Sequence, residues 1–150
     1  MLRRGYTIVE LMLTIVIAGI VVSLGVISYR AYLERVDIAK AGQDIAVISA
    51  QITEFKKEWG RFPTNLGEVG MAAMADPWGH GYQYVDHTDT ANRGNWRKDK
   101  NIVPINSDFD LFSMGKDGST VPPLTAATSR DDIIRANDGA FIGLASRYDP

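Results

Sequence analysis

No cysteine occurs among the 150 residues. That removes disulfides, thiolate metal sites and cysteine nucleophiles together, and it leaves the redox compartment open, because a reducing or an oxidising location suits such a chain equally. An excess of basic charge is lacking too: the formal net charge is −2. Without a positive field to gather phosphates, nucleic acid is excluded as a partner class. Only two histidines are present, His80 and His87, and neither stands in a His-Glu-x-x-His arrangement. Zinc and general-base chemistry therefore lack a motif, and both rings are expected at the surface. Gly-x-Ser-x-Gly is absent, and Gly115-Lys116-Asp117-Gly118-Ser119-Thr120 lacks the spacing of a phosphate-binding loop. No catalytic constellation emerges, so the chain is read as a non-enzyme. Neither an internal repeat nor a low-complexity tract is visible.

Charge is also missing locally. From Leu11 to Tyr29 there are nineteen residues without an ionisable acid or base other than Tyr29 itself, rich in Leu, Ile and Val. As a helix the run would extend roughly 28 Å, close to one hydrocarbon core. Arg3 and Arg4 precede it, and a short basic leader stays cytoplasmic, so the remainder should cross to the far side. A cleaved secretory signal would have a shorter apolar region and a small-x-small site, whereas this run continues into Tyr29, Arg30, Ala31 and Tyr32. A retained single-pass anchor fits better. Glu10 is the anomaly, because an acid at the edge of such a run is expected only where a partner neutralises it.

Proline is absent until Pro63, so nothing of that kind interrupts a helix for the first sixty-two positions. Beyond Arg30, Ile38, Ala41, Ile45, Ile48, Ile52, Phe55 and Trp59 recur at spacings of three and four, with charged residues between them. This is an amphipathic stripe that predicts one helix from Tyr6 to Trp59, its second half laid against a core. Gly60 and Pro63 close it. A weak short helix is conceivable around Glu68 to Ala75, and Asp76-Pro77-Trp78-Gly79 reads as a turn. Tyr82 to Val85 and Asp110 to Met114 have strand composition, with Ile102 to Ile105 as an edge candidate because of Pro104. Asp86 to Lys100 reads as an exposed connection. Trp59 and Trp78 are expected in the core and Trp96 at the surface. The fold class is α+β: a long N-terminal helix packed on a small antiparallel sheet of two to four strands.

Arg3-Arg4-Gly5-Tyr6-Thr7-Ile8-Val9-Glu10-Leu11-Met12 resembles a prepilin leader and its junction. Gly60-Arg61-Phe62-Pro63-Thr64, then Asp76-Pro77-Trp78-Gly79-His80-Gly81-Tyr82-Gln83-Tyr84, then Phe112-Ser113-Met114-Gly115-Lys116-Asp117-Gly118 resemble successive landmarks of the major pseudopilins of type II secretion. The chain thus resembles the type IV pilin and type II secretion pseudopilin superfamily over most of its length. Two positions depart from the usual pattern: Tyr6 stands where Phe is common, and Ile27 where a helix-bending proline often sits.

The resemblance implies the following. A prepilin peptidase and methyltransferase would cut between Gly5 and Tyr6 and methylate the new amine of Tyr6. Glu10, fifth in the mature chain, would pair with that amine on a neighbouring copy. Segments 1–5, 6–29, 30–59 and 60–150 would be leader, membrane and filament-core helix, amphipathic half-helix, and the loop and sheet region that completes the globular domain. The protein would wait in the bacterial inner membrane with its C-terminal domain in the periplasm, then enter a homo-oligomeric filament built with an assembly platform, an ATPase and minor pseudopilins. The alternatives are a surface type IV pilin for adhesion or motility, and a membrane-tethered binding module or enzyme. In the family the last loop binds calcium, which here would fall to Asp117, Asp131, Asp132 and the carbonyl of Leu111. Aspartates beside Gly118, Ser119 and Pro122-Pro123 also serve as ordinary turn formers.

Overall fold

The computed structural model describes Gly5 and residues 7–150. One helix, α1, runs from Ile8 to Trp59 and passes unbroken through Gly19, Gly25 and Ile27. It ends where expected: Gly60 takes φ +70°, a left-handed turn that glycine adopts without a Cβ penalty, and its N–H closes on the Lys56 carbonyl at 2.9 Å. By contact the chain divides between Val36 and Asp37 into two compact units.

In the second unit, four strands follow: β1 Gln83–Asp86, β2 Phe109–Ser113, β3 Ile133–Ala136 and β4 Phe141–Leu144. They form one antiparallel sheet in sequential order. The α+β expectation and its upper strand count hold. Central β2 is buried at every position, and its alternation splits the core in two. Phe109 and Leu111, with Ile133 of β3, face the helix residues Ala41, Ile45, Ile48 and Ile52 together with Phe62, Leu66 and Tyr82. On the opposite face Phe112 and its register partner Ile134 join Ile105, Leu124, Ala136, Ala145 and Tyr148. Each fully buried Ile contributes about 1.5–3 kcal/mol relative to exposure, so the four-residue helix stripe is a main fastening of helix to sheet. A polar tie reinforces it: the Tyr82 hydroxyl donates to Asp44 Oδ2 at 3.0 Å, and burial beside that carboxylate pushes the Tyr82 phenol well above its usual range.

Several expectations are corrected. Ile102 to Ile105 is not a strand; Ile102 makes only an isolated bridge with Asp99. Glu68 to Ala75 forms turns and not a helix. The connection from Asp86 to Lys100 carries a 3-10 turn, Thr90–Asn95, and ends in buried Trp96, Arg97 and Asp99. Trp96 is therefore inside, tilted against the His87 ring with centroids 4.6 Å apart, whereas Trp59 is 63% exposed at the helix end, stacked on Phe55. His87 is also buried; its Nε2 lies 3.0 Å from Asp110 Oδ2. Trp78 packs against the first core cluster as expected.

Candidate functional site

At the head of α1 the geometry is set by two side chains. The Thr7 hydroxyl accepts from the Glu10 backbone N–H at 3.2 Å, and Glu10 Oε2 accepts in return from the Thr7 N–H at 2.9 Å and the Thr7 hydroxyl at 3.0 Å. This is a reciprocal capping box, which satisfies donors that the first turn would otherwise leave free. The Thr-x-x-Glu spacing was present in the sequence as a capping signal, and Thr7 is the residue that motif comparison alone passes over. Glu10 is the only acid in the first turn of the helix, and it is exposed. Gly5 is exposed as well. Tyr6, whose amine the pairing with Glu10 would require, lies outside the described residues, as do Arg3 and Arg4.

From Ile8 through Val36 every residue of the helix is exposed. Ile15 is 72% and Ile27 67% exposed, which for a soluble helix would be an apolar surface with nothing to cover it. The helix is long and apolar enough to cross a membrane. Its few hydroxyls suit that role: Thr14, Ser23 and Ser28 donate to the carbonyls of Leu11, Gly19 and Leu24 at 2.8, 2.8 and 3.1 Å. Each of these three hydroxyls is thus satisfied within the helix, as hydrocarbon surroundings demand.

The four residues considered for calcium fall into different settings. Leu111 is the midpoint of β2, opposite Tyr84 of β1. Asp117 is exposed, and its Oδ1 accepts from the Ser119 N–H at 2.8 Å. Asp131 Oδ2 accepts the N–H groups of Lys116 and Asp117 at 3.0 and 3.1 Å. Asp132 is wholly buried; its Oδ2 takes a short bond from Arg97 Nη2 and one from the Thr120 hydroxyl at 2.6 Å. Burial pushes the Asp132 carboxyl up while Thr120 and Arg97 oppose the shift, and burial likewise draws the Arg97 guanidinium down. Each ion is destabilised by its surroundings and held charged by the other. Among the described residues, no three His, Asp or Glu side chains are gathered closely enough to hold a metal ion. His80 is half-buried, with Nδ1 3.1 Å from the Gly115 carbonyl.

Comparison with known proteins bears on the first of these regions most directly. A family described as the prokaryotic N-terminal methylation motif matches residues 1–26. Over 138 residues the chain is 29% identical to the type II secretion system core protein G of Klebsiella pneumoniae, covering 87% of this chain and 92% of that one. The protein of the same name from Dickeya chrysanthemi is 29% identical over 77% of this chain and 79% of its own. A fimbrial protein of Neisseria meningitidis is 26% identical over 91% of this chain and 81% of its own. No solved structure matches the chain.

Proposed function

We infer that this chain, a member of the type IV pilin and type II secretion pseudopilin superfamily, is the major structural subunit of a pilus-like filament that drives type II protein secretion. The observation that carries this reading is the acid at the head of a helix that is apolar and fully exposed through its first half. Such a helix has two stable environments, lipid and a bundle of its own copies. Glu10 favours the second, because a cation on a neighbouring copy can neutralise it there and lipid cannot. At low dielectric the attraction is strong, and either charge left alone pays a large desolvation penalty, so the pairing selects one axial register between subunits.

Processing completes the site. Cleavage after Gly5 would free the Tyr6 amine, and a single methyl would leave it a secondary amine that still carries a positive charge at neutral pH. The mature subunit would be held in the inner membrane by residues 6–29, with its globular part in the periplasm. An assembly ATPase and platform protein would supply the work of extraction; the subunit itself contributes packing and charge pairing and no catalysis. The Neisseria relative favours a surface pilin as the second reading, and shear fractions separate the two. A periplasmic rod at native expression supports secretion, and long shed fibres support the pilin.

The test is the intact mass of the purified protein together with one substitution. Loss of the first five residues and a gain of one methyl on Tyr6 are expected. Glu10→Ala should insert in the membrane in normal amount yet fail to enter filaments. A native chain that keeps Met1, or a Glu10→Ala protein that assembles as well as the parent, would overturn the reading.

A further inference from the structure

We propose that the loop closing the C-terminal sheet, residues 115–132, is locked by the resident guanidinium of Arg97 and not by calcium. A calcium ion takes six to eight oxygens at about 2.3–2.6 Å, mostly carboxylates and carbonyls that are free to turn toward it. One oxygen of each of the three loop carboxylates already faces a donor within the protein. Asp131 Oδ2 is held by two backbone N–H groups. Asp117 Oδ1 is engaged with Ser119, and Asp132 Oδ2 is taken by Arg97 and Thr120. The set does not fit a hard divalent cation.

Arg97 occupies the corresponding role with better geometry. It is 2% exposed, and Asp132 is fully buried. Its Nη1 donates to the Thr120 hydroxyl at 2.5 Å and to the Val121 carbonyl at 2.8 Å, while Nη2 reaches Asp132. One planar group therefore ties the 96–99 segment to Thr120 and Val121 within the loop and to Asp132 at its end. The guanidinium also lies 4.4 Å over the Phe112 ring of β2, which fixes its plane. Each member of the pair keeps one buried atom without a partner, Arg97 Nε and Asp132 Oδ1. One is a donor and the other an acceptor, the complementary kinds of group that a two-point arginine–carboxylate contact pairs. A divalent ion at Asp132 Oδ1 would instead sit beside a fixed positive charge. The loop adds its own constraint at Gly115, φ +65°, where a Cβ would fall 2.5 Å from the Asp131 carbonyl oxygen. This lock belongs to the globular part and is the same whichever filament the chain builds.

The experiment is thermal unfolding of the full chain in detergent micelles, in millimolar calcium chloride and in excess EGTA. The two midpoints should coincide, and calorimetric titration with calcium should give no saturable heat. Asp117→Asn should leave the midpoint unchanged, whereas Arg97→Met should lower it by roughly 10 °C or more by stranding Asp132. Arg97→Lys should recover little of the loss, since an ammonium cannot span the same acceptors. A midpoint that rises with calcium, or that falls on Asp117→Asn, would overturn the proposal. So would an Arg97→Met protein as stable as the parent. If Arg97→Met does not fold, the calcium and EGTA comparison on the parent still decides.

Discussion

Glu68 is held by a two-point contact. Arg61 Nη1 and Nη2 each reach a different carboxylate oxygen at 3.0 Å, and the Thr64 N–H adds a third bond at 2.8 Å. The Arg61 hydrogen bonds, with help from Thr64, bring its pKa from an ordinary 4.5 down to about 2. A carboxyl whose folded value is depressed adds stability that is present above the unfolded value and is lost as pH falls toward the folded one. The loop after α1 should therefore loosen as pH drops from about 4.5 toward 2, and the midpoint of unfolding should fall with it. Glu68→Gln should flatten that part of the profile. The effect is small, because both side chains are largely in water. At this scale the sequence was least informative. Arg97 and Arg135 look like any solvated charges in a string of letters, since what makes them interior is the company that distant segments bring. The Thr7 and Glu10 capping box is the opposite case, because its partners stand three positions apart in the chain.

Elements were legible in proportion to their length. The stripe of α1 predicted the buried set, and Ala41, Ile45, Ile48 and Ile52 are its centre; Trp59, the last residue of the stripe, is exposed and stacks on Phe55. β1 and β2 carried aromatic runs. β3 and β4 were missed, and the reasons are physical. Arg135 interrupts the apolar pattern of β3, yet it is buried by a bidentate pair with Asp108 at 2.8 Å on both limbs and lies 4.1 Å from the centre of the Phe109 ring. β4 is four residues long and includes Gly143, a poor strand former on its own. The two halves of α1 should respond oppositely to the same change. Ile45→Ala should destabilise the full chain by about 2–5 kcal/mol, measured by denaturant unfolding in detergent. Ile17→Ala should leave that value within error, because its side chain is not part of the folded core, and should weaken filament contacts instead.

For the whole molecule, the division at Val36 and Asp37 predicts that folding and assembly can be separated. A chain beginning at Arg30 should keep the denaturant midpoint of the full-length protein and sediment as a monomer without detergent. Aggregation of that chain, or a large loss of stability, would mean that the apolar half supports the fold. The described core begins at Ala41, and the helix from Ile8 to Val36 has no buried position. Sequence drift in that stretch is then judged by the company the protein keeps and not by its own refolding. A chimera given a foreign anchor would still produce an intact head, and what would change is the polymer that admits it.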